Sequence, residues 1–213
     1  MEEKSEVEQR VLRAARKLFV AQGVAKTPLR AVAAEAGSSE SGVLRFFRDK
    51  EDLARAVMDS CWVEVNDEMS EALRVESERN DDPRFLLVEV VRALLEHALT
   101  DRQTVSFLVN HFHYTVSAGS DEKLAADNRS RLNAYREYRQ RLDELCGRSV
   151  AHDPRLREAG ITQSGLCHFT LSLVYGVIGG WYLSEQDPVV HGQPVSLEDV
   201  LAVIRRVVYV NGS

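Results

Sequence analysis

Apolar positions recur along this chain of 213 residues every three or four residues, the spacing that gives a helix one buried face. In VEQRVLRAARKLFVAQG, Val7, Val11, Ala15, Leu18 and Phe19 share a face, and Gly23 follows as a stop. TPLRAVAAEAG predicts a second helix with Thr27 as N-cap. Pro28 takes its first helical position, where a missing N–H does no harm, and Gly37 ends it. ESGVLRFF predicts a short third helix behind the N-cap Ser39. Asp49 caps a fourth, with Asp52 three residues on in capping-box spacing. No segment alternates apolar and polar residues as a half-buried strand does, and no Asn-Gly hairpin signal occurs. The expected fold class is all-α.

Further helices are expected over Glu51–Glu76, Pro83–Leu99, Arg102–Ala118, Asp121–Val150, Thr162–Gln186 and Leu197–Val210. The breaks RNDDP, SAGSDE, AHDPRLREAG and DPVVHGQPVS are rich in turn residues. The chain therefore divides into a head, residues 7–55, and a body, residues 56–213. Its longest apolar run, Leu171–Leu183, is short for a membrane span. The start MEEKSEVEQR has no apolar signal core, so the expected location is the cytoplasm, with no membrane partner. Cys61, Cys146 and Cys167 lack CxxC spacing and suit reduced, buried thiols.

The second and third helices, joined by a tight turn at Gly37, have helix-turn-helix spacing. A plain helical hairpin packed on the body has the same spacing. Val43 and Phe47, four apart, can anchor the third helix. Ser39, Glu40, Ser41, Gly42 and Arg45 remain outside, small or polar as a helix entering a major groove requires. Net charge is −6, which argues against nucleic acid, but its distribution does not. Val7–Arg55 holds ten Lys/Arg and six Asp/Glu, a balance of +4, whereas Cys61–Ser213 stands at −7. One end can approach phosphate while the rest stays acidic.

The segment Arg10–Leu53 resembles the DNA-binding head of the tetracycline-repressor (TetR) family of bacterial regulators. The matching residues are Arg10, Ala15, Phe19, Gly23, Thr27, Leu29, Ala33, Ala36, Gly37, Ser39, Phe47, Lys50 and Leu53. They cover about a quarter of the chain. Where the family usually places a glycine, a small residue, a tyrosine and an aromatic or histidine, this chain has Ser41, Gly42, Leu44 and Phe46. Leu44 cannot donate the tyrosine's hydrogen bond to phosphate. Gly42 costs a helix about 1 kcal/mol against alanine.

The resemblance implies a homodimer that binds a double-stranded DNA operator and answers to a small-molecule effector. The body, 56–213, then becomes an effector-binding and dimerisation domain. DNA-contacting candidates are Thr27, Pro28, Ser38, Ser39, Glu40, Ser41, Gly42, Leu44, Arg45, Phe46, Arg48 and Lys50. Arg45 suits either a guanine edge or a phosphate. Lys50 and the Thr27 end of the second helix resemble phosphate clamps. Arg48 adds sequence-independent attraction. Glu40 suits a positive helix N-terminus, or a cytosine amino group.

Effector candidates are the mixed polar and aromatic positions of the body: Trp62, Phe107, Asn110, His111, Tyr114, Asn128, Arg131, Tyr135, Tyr138 and Phe169. Arg131 must meet an acid, solvent or the ligand, since a buried unpaired cation is costly. A dimer surface is expected at Val174, Gly176, Val177, Gly180, Trp181, Leu201, Ile204 and Val208. Small residues there let helices cross closely, and an apolar face completes a four-helix bundle. His111 and His113, two apart on a helix, diverge and cannot readily share a metal. No GxSxG, P-loop or HExxH pattern occurs, so neither an enzyme nor a cofactor is expected. The competing class is a small-molecule carrier or enzyme body whose head has lost DNA affinity.

Overall fold

The structure, a computed structural model, describes residues 2–101, 104, 105, 107, 108, 133–186, 189 and 193–209. Among them every regular element is helical: α1 Glu2–Gln22, α2 Leu29–Glu35, α3 Glu40–Leu44, α4 Lys50–Ser77, α5 Pro83–Thr100, α6 Asn133–His152, α7 Pro154–Glu158, α8 Gln163–Gln186 and α9 Leu197–Val208. The fold is all-α. Most of the helix expected at Arg102–Ala118, and the first half of that expected at Asp121–Val150, lie outside the described residues.

The chain forms two compact units. One comprises Met1–Val63 with Phe107–Tyr135, the other Glu64–Ser106 with Arg136–Ser213. In the first, α1 packs on α2 and α2 on α3. Val11, Ala15, Phe19, Val32, Ala33, Val43, Phe47, Leu53 and Val57 are buried together as its core. Leu18 of the expected α1 stripe is only half-buried.

In the second unit α5 packs against both α8 and α9. Two Asp-Pro-Arg sequences start helices here. Asp82 accepts the Arg84 N–H at 2.9 Å, with Pro83 opening α5. Asp153 accepts the Arg155 N–H at 3.0 Å, with Pro154 opening α7. Such caps satisfy donors that a helix start leaves over. The caps also meet each other, because Arg84 pairs with Asp153 as well as with Asp82 at 2.6 Å. The Arg84 guanidinium lies 4.9 Å from the Tyr209 ring centre, beyond the end of α9. Asp153 is 3% exposed, so its charge depends on these partners.

The last helix starts on Ser196, whose Oγ accepts the Asp199 N–H at 3.1 Å. Its apolar residues Val200, Leu201, Ile204 and Val208 are buried within the subunit. The stretch Gln163–Ser184 of α8 spans 22 residues with mean hydropathy 1.3, long and apolar enough to cross a bilayer. It exceeds the run read from sequence. Its Leu166, Thr170, Leu171 and Val174 side chains are buried inside the subunit, as in the core helix of a globular body.

Candidate nucleic-acid interface

The turn between α2 and α3 follows from one glycine. Gly37 has φ +61°, a conformation that costs a residue with Cβ. Bending there lets the Ser38 N–H reach the Ala33 carbonyl at 2.8 Å and the Gly37 N–H reach Ala34 at 3.1 Å, closing the end of α2. The chain then restarts at once. Ser39 is the N-cap of α3, its Oγ accepting the Gly42 N–H at 3.0 Å and lying 3.0 Å from Ser41 Oγ.

Gly42 is explained by the same crowding. A Cβ at this position would stand 2.5 Å from Ser38 Oγ and 3.2 Å from Ser39 Oγ. The residue that weakens α3 as a helix makes room for two hydroxyls at its start. The third helix is shorter than the sequence suggests, because it ends at Leu44 and Arg45 is its C-cap. Val43 and Phe47 are fully buried and hold it to the head. Ser39, Glu40, Ser41, Leu44 and Arg45 are exposed, while Ser38, Gly42 and Phe46 are half-buried. The Phe46 ring lies 6.5 Å from the Phe47 ring, at the edge of the core.

Around this helix the candidates divide. Pro28 and Arg48 are exposed and Lys50 half-exposed. Lys50 Nζ reaches the Ala25 carbonyl at 3.4 Å, and Arg48 Nε pairs with Asp49 at 3.0 Å. Thr27 is a correction. It is fully buried and is not the cap of α2, a place taken by Pro28. Its Oγ1 donates to the Gly23 carbonyl at 2.8 Å and its N–H to Val24 at 3.2 Å. Its role is to lock the α1–α2 connection, not to touch a phosphate.

The connection from α3 into α4 carries a charge network. Asp49 accepts the Asp52 N–H at 2.7 Å, while the Asp52 carboxylate accepts the Arg48 N–H at 3.0 Å. Arg55, 6% exposed, lies 3.9 Å from both acids. Burial opposes ionisation of Asp49, but the Asp52 N–H, Arg48 and Arg55 outweigh it and hold its carboxyl below the ordinary value. The spacing of Asp52 and Arg55, three apart on a helix, is the signal that could have revealed the pair.

This geometry is a helix-turn-helix, and known proteins share it. Residues 11–57 match the model of the bacterial regulatory proteins, tetR family. The head, residues 11–57, is thus similar to the DNA-binding part of these regulators. Over 105 residues the chain is 34% identical to the HTH-type transcriptional regulator TtgR of Pseudomonas putida, covering 47% of this chain and 49% of TtgR. The chain thus spans about half the length of this curated relative. Two solved structures share this fold at low identity. A putative tetR family regulator from Shewanella sp. PV-4 has TM-score 0.62 at 17% identity, covering 93% of this chain and 95% of its own. FadR from Bacillus subtilis, solved in complex with stearoyl-CoA, has TM-score 0.60 at 13% identity, covering 95% and 96%.

Of the effector candidates, Asn110, His111, Tyr114, Asn128 and Arg131 lie outside the described residues. Trp62 and Tyr135 are brought together, ring centres 5.0 Å apart and tilted by 55°. The Ala134 N–H beside them donates to Asp59 at 2.9 Å. Phe107, in the same unit, is buried. Tyr138 is buried and Phe169 half-buried in the other unit.

The dimer candidates also need correction. Leu201, Ile204 and Val208 are 0% exposed in the single chain, so they serve its own core rather than a surface. Val174, Val177 and Trp181 are buried too, and Trp181 Nε1 donates to the Val195 carbonyl at 2.7 Å. Gly176 and Gly180 remain exposed, and among the described residues an added Cβ there would meet nothing within 4 Å. They line a shallow depression of about 300 Å³ with Ser172, Leu173, Pro194 and Val195. Among the described residues no three His, Cys, Asp or Glu side chains converge as a metal site would require.

Proposed function

We propose that this chain is a ligand-responsive, DNA-binding transcriptional regulator acting as a homodimer. Each subunit presents α3 to one major groove of a palindromic operator, and a small molecule bound by the helical body releases the DNA. Repression is the mode this favours. The observation that carries the reading is the outward face of α3. Ser39, Glu40, Ser41, Leu44 and Arg45 are exposed on a helix fixed from behind by buried Val43 and Phe47.

Supporting observations come from both units and from the relatives. Pro28, Arg48 and Lys50 flank α3 with an exposed helix start and two cations, the means by which proteins hold phosphates. The curated relative is an HTH-type transcriptional regulator. One fold neighbour was solved in complex with stearoyl-CoA, a molecule with a long apolar chain and an anionic end. Arg131, Asn128, His111 and Tyr114 are retained as proposed effector residues. The open glycine face of α8 supports a partner helix crossing there. The regulator works in the cytoplasm, with no membrane, metal or cofactor.

The test is direct. Duplexes selected by the protein from a random-sequence pool are bound by the protein in solution, and stearoyl-CoA and a panel of small molecules are then added. The expected result is a selected palindrome and at least one compound that weakens binding by about 5- to 150-fold, the usual size of coupling between two sites. A pool that yields no preferred sequence would overturn the reading and favour a carrier or enzyme body with an inert head.

A further inference from the structure

The exposed residues of α3 and its two caps are Ser39, Glu40, Ser41, Leu44 and Arg45. Four of the five carry donors or acceptors. Leu44, 46% exposed, carries none, yet the fold leaves it outside while Val43, its neighbour, is fully buried. On a helix of 3.6 residues per turn, Ser41 and Arg45 lie nearly opposite Val43, and Leu44 stands about a quarter turn from it, beside Ser41 and Glu40. It therefore borders the outward face.

A leucine cannot recognise a base through hydrogen bonds, and it cannot bind a phosphate oxygen. Of the groups that the four base pairs display in the major groove, the C5-methyl of thymine is the apolar one. Resting on the DNA-binding reading above, we propose that Leu44 is a specificity-determining residue that packs its methyl groups against a thymine C5-methyl in each operator half-site. A polar side chain here could bond a base edge or a phosphate. A leucine converts the same place into a detector of one methyl group. Burial of one such group is worth about fourfold in affinity, from about 0.8 kcal/mol at 1.4 kcal/mol per factor of ten.

The experiment uses the full chain and duplexes selected by it from a random pool. Each thymine of the half-site is replaced in turn by uracil, which keeps every hydrogen-bonding group and deletes only the methyl. One position is expected at which uracil weakens the wild type about fourfold per half-site. L44A should bind the thymine and uracil duplexes equally, while L44M, which keeps an apolar end, should retain the difference. Thermal melts of the variants check that the head stays folded, as the half-exposed position predicts. Uracil without effect at every position would overturn the proposal, and so would a methyl effect of equal size in L44A. Both outcomes leave specific binding standing. Failure to select any sequence would instead remove the DNA-binding reading itself.

Discussion

The Ser39 hydroxyl accepts the Gly42 N–H at 3.0 Å, and the absent side chain of Gly42 leaves the space that the Ser38 and Ser39 hydroxyls occupy. The cap and the glycine are thus one device for starting α3 directly after a turn. Ser39→Ala removes the acceptor and should lower stability by about 1 kcal/mol. Thermal melting checks this, and an unchanged midpoint would show that α3 does not depend on its cap.

The pairing of the two Asp-Pro-Arg caps predicts acid sensitivity of the body. Hydrogen bonding by Arg155, with Arg84 close by, outweighs burial and holds the Asp153 carboxyl well below the ordinary value. Hydrogen bonding by Arg84 likewise holds Asp82 low. A carboxylate with a depressed folded-state pKa adds stability that is fully present above its unfolded value, about 4, and lost as pH falls through the folded value. Stability should therefore drop as pH falls below about 4. Asp153→Asn should cost about 2–3 kcal/mol at neutral pH and flatten that acid limb. Denaturant melts from pH 7 down to pH 2 measure both.

All three cysteines, Cys61, Cys146 and Cys167, are buried and free. Burial pushes the Cys146 thiol well up and the Cys167 thiol up, away from the reactive thiolate. A chromogenic disulfide reagent at pH 8 should label the native protein slowly and the denatured protein at three sites. Rapid labelling of the native chain would contradict this packing.

What could be read from sequence and what could not has a common cause. Caps and glycine stops are local, so α4, α5, α8 and α9 begin and end within two residues of the expected places. The apolar face of α9 was equally legible, but periodicity says that a face is covered and not by what; α5 covers it. Thr27 has the composition of an N-cap, yet its hydroxyl finds the Gly23 carbonyl four residues back. Arg84 and Asp153 lie 69 residues apart, beyond any local pattern. On α3, i, i+4 spacing separated the buried Val43 and Phe47 from the exposed face, which is why that surface was the best-read part of the chain.

The open face of α8 gives a test of assembly. Among the described residues an added Cβ at Gly176 or Gly180 would meet nothing within 4 Å, so leucines at both positions should leave the chain folded. If a partner helix crosses there, the double variant should sediment as a monomer and lose tight operator binding. A double variant that stays dimeric would put the interface elsewhere.

Fluorescence anisotropy with one selected duplex and its scrambled counterpart shows whether the face of α3 reads DNA. The wild type should prefer the selected sequence by about a thousandfold or more, with affinity falling as salt rises. Arg45→Ala should lose about 1–3 kcal/mol on the selected sequence and relax the preference at one base pair. Equal affinity of the wild type for both duplexes at every salt concentration would contradict the account.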